Sequence, residues 1–483
     1  MQEQGATTLQ EAVRYTVGVT SEPMGQITVV IGYLFAVLST LKLLMAYVVR
    51  RLLTICRVKT LIFLERIEIL RGPSSVLFGQ ASPGGLVNIV SKRPQAENNT
   101  EVTAEYGTRD QEKLGIDSTG KLTDDGRVLY RIVGSVKQED YRSDFTDNKR
   151  FQIAPSLTFK PDDKTSLTLF MNYMNDRTNG ATASFPPHVG TNLSSQNGKI
   201  GTNFFSGEPG FDGTDAKETS FGWGFSHEFN DTWTVRQNAR YTSSEWDYKT
   251  LYPNIFKAFG YTGQRQVARF GFASLSNSET YAIDNQVQAK FNVGEIANTA
   301  IFGLDYAHNK LKEKDASSFI ATPFDLFNPV YGNVTSADLP TNYVPKSDDI
   351  NSQVCFYAQD QMKFGQHWSL VAGLRHDTAT SKVEDGITKT QTDNATTGRI
   401  GAVYLADNGL APYISYSESF VPAVGTNFFN KAYSPKTGKQ TEVGLRYQPL
   451  NSNSMYTASM YKLKESNRLS SDPTNPNNQL QGG

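Results

Sequence analysis

From residue 101 onward the chain repeats runs of about ten residues in which apolar and polar side chains alternate, the period of strands with one dry and one wet face. In Arg127 to Lys137, Val128, Tyr130, Ile132, Gly134 and Val136 share one face, and Arg127, Arg131, Ser135 and Lys137 the other. In Ser166 to Tyr173, Leu167, Leu169, Met171 and Tyr173 alternate with Ser166, Thr168 and Asn172. In Tyr281 to Phe291, Tyr281, Ile283, Val287, Ala289 and Phe291 oppose Asp284, Gln286, Gln288 and Lys290. Fifteen such strands are predicted, near 101–108, 114–122, 127–138, 151–161, 165–175, 218–230, 233–246, 270–292, 298–311, 352–364, 368–383, 394–406, 410–422, 439–449 and 454–467. Short turns follow the even-numbered strands, at 123–126, 161–164, 230–232, 293–297, 365–367, 407–409 and 451–453. Long loops rich in Gly, Asn, Ser and Asp follow most odd-numbered ones, at 176–217, 247–269, 312–351 and 423–438. Short turns on one side and long polar loops on the other mark a transmembrane β-barrel. A soluble β-sandwich also alternates, but it does not usually set aromatics so regularly near strand ends. The 38% hydrophobic content is no obstacle, because barrel strands are apolar only at every second residue.

Residues 64–94 have a different grammar. Glu65 to Arg71 alternates charge and apolar side chain, and Gly72-Pro73 stops it. Pro73 to Phe78 reads as a turn or helical start closed by Gly79; Ser82 to Gly85 is a second sharp turn. Leu86 to Val90 is then a short apolar strand ended by Lys92-Arg93-Pro94. A phosphate-binding loop would place Gly-Lys-Ser/Thr at the start of a helix. Here the glycines lead into a strand.

The run LERIEILRGPSSVLFGQASPGGLVNIVSKRP closely resembles the end of the plug domain of TonB-dependent outer-membrane receptors, the ferric-siderophore receptors in particular. Residues 8–20, TLQEAVRYTVGVT, resemble the start of that plug. Within the barrel, QVCFYAQDQM at 353–362, AGLRHD at 372–377, APYISYSESFVP at 411–422 and QTEVGLRY at 440–447 resemble strands of the same family. The resemblance covers residues 8–24 and 64–483. It implies an all-β transmembrane barrel, 22-stranded in the family, with an α/β plug in its lumen. Residues 1–95 are then the plug and 96–483 an incomplete barrel.

The resemblance also implies roles. Glu65, Arg66, Glu68 and Arg71 pair with lumen charges and key the plug in place, since a buried charge without a partner is costly. A ligand pocket would be aromatic and face outward above the plug. Phe78 and Gln80 lie in the plug's apical turn; Trp246, Tyr248 and Tyr252 enter an outer loop; Tyr306 heads towards another and Phe420 towards a third. For each aromatic the competing reading is a membrane-interface girdle, and Arg71 and Phe78 read as structural rather than ligand-contacting. The implied function is uptake of a ferric siderophore across the outer membrane, driven by the TonB–ExbB–ExbD energy complex. Iron is carried only as the siderophore complex, with no cofactor and no resident metal. The late-barrel match favours hydroxamate types; a vitamin B12-like, haem or glycan ligand is the alternative. A passive porin would lack residues 64–94, whereas an adhesin or phage-binding protein could share the barrel.

Several stretches depart from the family. Ile27 to Val49 is 23 residues with one charge, Lys42, followed by Arg50-Arg51, a transmembrane-helix pattern. The family has a polar β segment there. Residues 25–63 are therefore expected to be a frame error; an intact frame would leave a genuine anchored variant. No signal peptide and no energy-coupling segment (TonB box) is visible near Met1. The end, Ser471 to Asn478, has loop composition. About seven strands are expected to be missing, leaving a fragment that does not insert stably because open edges in lipid are costly; a non-functional receptor fragment is a further alternative to uptake.

Enzyme chemistry finds no footing. The five histidines (His188, His227, His308, His367, His376) are scattered without metal-binding spacing. No G-x-S-x-G elbow, Walker A loop or Cys-x-x-Cys occurs. Asp124-Asp125 and Asp162-Asp163 read as turn residues. Net charge −1 argues against nucleic acid as a partner. Cys56 and Cys355 suggest no disulfide framework, though a single pairing stays open.

Overall fold

The computed structural model describes residues 6, 8–16, 19–20, 34–35, 60–180, 186–255, 261–346, 348–385, 387–429, 431–475 and 478–482. Most of the anomalous segment at 25–63 therefore lies outside the described residues.

One antiparallel sheet dominates. Its strands are β1 (Asn99–Gly107), β2 (Gln111–Lys121), β3 (Val128–Asp140), β4 (Asp147–Phe159), β5 (Thr165–Asn179), β6 (Gly213–Glu228), β7 (Trp233–Pro253) and β8 (Gln266–Val293). It continues through β9 (Ile296–Asp325), β10 (Asp348–Phe364), β11 (Trp368–Asp385), β12 (Ile387–Tyr404), β13 (Leu410–Val421), β14 (Lys436–Tyr447) and β15 (Tyr456–Ser466). Each pairs with its sequence neighbours, β1 and β15 are the edges, and the two-residue strand Val344–Pro345 pairs with β9 off this path.

The period-2 pattern becomes two faces. On β3, Ile132 and Val136 are exposed, while Arg131 and Ser135 are buried. On β9 and β10, Phe302, Leu304, Val354 and Phe356 are exposed together. Asp305, Gln353 and Tyr357 face the other way, onto one another's neighbours. The apolar outer face suits lipid and the polar inner face a lumen. One small N-terminal unit touches β2 and β3 through Lys92 and Arg93, and β11, β13 and β14 through residues 75–83. The sheet therefore wraps around it.

Several strands outrun their predicted ends on the long-loop side. β7 continues to Pro253, β6 begins at Gly213, and β9 runs 30 residues to Asp325. At about 3.3 Å per residue β9 is roughly 100 Å long, far more than the apolar band needs. Lys310-Leu311-Lys312-Glu313-Lys314-Asp315 explains the discrepancy. Beyond the membrane the outer face meets water instead of lipid and no longer needs apolar side chains, so the alternation that betrays a strand disappears.

The long loops have a core of their own. Ile200, Phe204, Tyr261, Val267, Phe324 and Leu326 are buried together, with Ile255, Phe327 and Tyr331 against them. Arg269, 1% exposed, reaches Glu208 at 2.9 Å and the Gly207 carbonyl at 2.8 Å, and its guanidinium lies 4.4 Å from the centre of the Phe324 ring. The Tyr331 hydroxyl donates to the Phe205 carbonyl at 2.8 Å, and burial pushes its pKa up to about 12.

Candidate functional site

The N-terminal unit is a hairpin standing inside the sheet. Its strands, Leu64–Arg71 and Gly85–Ser91, pair from Leu64 opposite Ser91 to Arg71 opposite Gly85. Between them lies the short helix Ser75–Phe78. Gly79 ends that helix at φ 68°, and Gly85 re-enters the strand at φ 125°. Both are left-handed conformations that side chains disfavour. The far N-terminus braces the hairpin. Helix Leu9–Val13 is held by a capping box between Thr8 and Glu11. Leu9, Val13, Val19, Phe63 and Leu64 then cluster against Val133 of β3.

The hairpin's base lies near the short turns. Lys92 Nζ sits 2.5 Å from Asp117 Oδ2 on β2. The same carboxylate takes two hydrogen bonds from Arg131 of β3, each 2.8 Å. Arg131 also donates to the Arg93 carbonyl at 3.0 Å, and the Gln95 amide donates to Thr119 Oγ1 at 2.9 Å. Asp117 and Arg131 are 6% and 7% exposed. Charge-assisted bonds so shielded from water are the strong kind.

The apex lies near the long loops and is held without ion pairs. The Phe420 amide of β13 donates to Ser75 Oγ at 3.1 Å. Val76 packs by Gly373 and Pro83 by Gly438. A Cβ on Gly79 would meet Arg375 Nη2 at 2.6 Å and Gln353 Nε2 at 2.7 Å, so this turn seats on two polar wall groups. Those groups belong to a lumen network. Arg375 Nε donates to Asp377 Oδ1 at 2.8 Å, and its Nη1 makes a charge contact with Asp305 Oδ2 at 2.7 Å. Gln353 also binds Asp377. Tyr357 donates to Asp284 Oδ1 at 2.7 Å, beneath the Arg375 guanidinium.

The predicted charge pairing holds for Glu65 and needs correction for the other three. Glu65 lies 3.8 Å from Arg131. Arg66 and Glu68, two residues apart on one strand face, instead pair with each other at 2.6 Å. Glu68 also accepts from Asn88 across the hairpin at 2.7 Å. Arg71 is exposed and has no ion-pair partner within 4 Å among the described residues. The keys are Glu65, which meets wall Arg131 as expected, together with Lys92, Arg93, Gln95 and Ser75. Their wall partners Asp117 and Arg131, like Arg375 and Asp377 around the seat of Gly79, left one sequence signal, single charges recurring on the polar face of otherwise apolar strands.

The candidate ligand aromatics scatter. Trp246 and Tyr248 stack at 5.2 Å and 14° on the lumen face of β7, beside Phe272 of β8. The Tyr248 hydroxyl is hydrogen-bonded to that of Tyr252. Trp246 and Tyr248 cover each other, leaving Tyr252 and Phe272 half-open. Gln80 is exposed at the apex. The side chain of Phe78 lies outside the described residues. Tyr306 is corrected: it shares the exposed outer face with Phe302 and Leu304, one residue out of phase with lumen-facing Asp305. Phe420 is corrected too. It is 0% exposed, closed between wall and apex, where no ligand reaches it. Among the described residues no cluster of His, Cys, Asp or Glu could hold a metal ion.

Comparison with known proteins gives a consistent picture. Residues 102–482 match the family described as TonB dependent receptor-like, beta-barrel. The chain is 32% identical over 486 residues to the ferrioxamine B receptor of Salmonella typhimurium, covering 98% of this chain and 68% of that protein. It is 33% identical over 441 residues to the ferrichrome outer membrane transporter/phage receptor of Escherichia coli, covering 87% of this chain and 59% of that one. In fold it superposes on the ferric-catecholate import receptor Fiu of E. coli with a TM-score of 0.82 at 17% identity, covering 100% of this chain and 74% of Fiu. The pyoverdine receptor FpvA of Pseudomonas aeruginosa gives 0.81 at 18%, covering 99% and 71%.

Proposed function

The chain belongs to the TonB-dependent receptors, and on that premise we propose that it takes up ferric siderophores across the outer membrane with energy from the TonB–ExbB–ExbD complex. One observation carries this reading. The hairpin of residues 64–91, the plug in functional terms, stands in the lumen and is tied to the wall by the Lys92–Asp117–Arg131 cluster. A pore so occupied passes a bulky chelate only after the occupant moves, and that movement requires work. Its apex, held by Ser75 and the seat of Gly79, is the end that yields.

Iron enters as cargo inside its chelator and needs no resident ligand set. The upper lumen supplies the recognition surface, with Tyr252 and Phe272 presenting aromatic faces backed by the Trp246–Tyr248 stack, while Gln80 offers a polar contact from the apex. Aromatic walls with a few polar groups suit amphipathic ligands. The relatives named for ferrioxamine and ferrichrome support a hydroxamate ligand. The outer face of exposed Phe302, Leu304, Tyr306, Val354 and Phe356 meets outer-membrane lipid.

The test is uptake of radiolabelled iron as a ferric hydroxamate by cells that depend on this chain, with and without a proton-motive force. Accumulation that stops when the force is dissipated, while surface binding persists, is the expected result. Accumulation indifferent to it would make the chain a passive pore and sink the reading.

A further inference from the structure

Two arginines in the lumen share one phenyl ring. Arg93 Cζ lies 4.4 Å from the centre of Phe170 on β5, and Arg240 Cζ of β7 lies 5.0 Å from it. The ring occupies space left by Gly222 on β6, where a Cβ would collide with it. The Arg93 backbone is fixed by the bond from Arg131 to its carbonyl, so its side chain has a defined origin. Both arginines remain open to solvent although they sit within the barrel.

What the pair lacks, among the described residues, is an acid within ion-pair distance. Neither guanidinium has an ion pair within 4 Å among the described residues, and the two lie within each other's field. Glu218 is the carboxylate whose field reaches Arg240. Asp117 is already shared by Lys92 and Arg131. Two like charges beside one ring repel each other, and cation–π attraction is worth only about 0.5–2 kcal/mol each. Ten N–H donors by chemistry, five per guanidinium, meet no carboxylate within 4 Å among the described residues, and Glu218 acts on Arg240 through its field.

We infer that Arg93, Arg240 and Phe170 form an oxyanion station in the lumen that favours ferric chelates carrying a carboxylate. A carboxylate accepts the guanidinium fork in two parallel bonds, and the ring keeps the forks spread while covering the apolar side of the guest. The station rests on the proposed uptake of ferric siderophores and narrows its substrate class from any hydroxamate complex to the anionic ones. It lies part-way up the wall beneath the apex, so it acts on passage rather than on capture at the outer surface.

Three ferric trihydroxamates of matched size, ending in a carboxylate, an amide or an ammonium, test it in energised cells. The full chain is expected to import the carboxylate form roughly tenfold faster than the ammonium form. Arg240→Gln brings the two rates within about twofold, and Arg240→Lys retains a preference by keeping the charge. Binding to de-energised cells stays as in the parent. A preference unchanged in Arg240→Gln overturns the station. If the parent imports none of the three chelates, the uptake reading fails, and a second measurement still decides the station. Citrate at millimolar concentration raises the melting temperature of the purified full chain, and Arg240→Gln removes that rise. An equal rise in both proteins, or none in the parent, overturns the station independently of transport.

Discussion

The base and the apex of the inner hairpin are held to the same wall by opposite chemistry. At the base one carboxylate, Asp117, gathers two cations, Lys92 and Arg131, all three largely shielded from water. At the apex the only direct hydrogen bond to the wall among the described residues joins Phe420 to Ser75, and the rest is fit around Gly79, Val76 and Pro83. A buried ion pair is hard to break one partner at a time; a steric seat with one neutral bond separates without stranding a charge. The contrast teaches where force can act: pulling disturbs the apex first and leaves the base as the hinge.

The contrast is open to attack by substitution, with hydrogen exchange of the hairpin amides reading local opening. Asp117→Ala has the largest effect. It strands Lys92, leaves Arg131 only the distant Glu65, and lowers the opening free energy of Gly85–Ser91 by about 3–5 kcal/mol. Unchanged protection there would mean that the apolar cluster around Leu64 and Val133, not the charges, anchors the base. Gly79→Val comes next. The collision with Arg375 and Gln353 and the left-handed φ cost about 2–3 kcal/mol, exposing amides 72–80 while 86–91 stay protected. Equal loss along the whole hairpin would show that the two ends open as one. Ser75→Ala leaves the Phe420 amide without its partner and costs about 1–2 kcal/mol, confined to the apex. Glu68→Gln, in an exposed pair with Arg66, leaves hairpin opening essentially unchanged, because solvent screens the pair. A shift of several kcal/mol would return Arg66 and Glu68 to the role the sequence suggested for them.

The fifteen strands were legible because the membrane imposes alternation, and β3, β5 and β10 follow it closely. Where strands leave the membrane, as in β9 beyond Lys310, the constraint lapses and the polar run reads as loop. The hairpin was legible from its turns, whose glycines at 79 and 85 are dictated by backbone conformation. Its contacts were not. Arg66 and Glu68 look like keys in one dimension, but strand spacing puts both on one face, within reach of each other. Lys92 and Arg93 look like a polar strand end until β2 and β3 supply Asp117 and Arg131, far away in sequence. Tyr306 shows how small the margin is: one residue of register separates a lumen side chain from a lipid-facing one.

The shared core of the long loops constrains how this surface can change over generations. Arg269 from the foot of β8, Glu208 from the loop before β6, and Gly332, whose amide meets the same carboxylate at 2.5 Å, come from one strand and two separate connections. An insertion in one of them moves a charge that the other two have buried. Novelty in the outer surface therefore arises through coordinated replacement of these three segments, or at exposed positions such as Phe428 and Phe429 that stand outside that core.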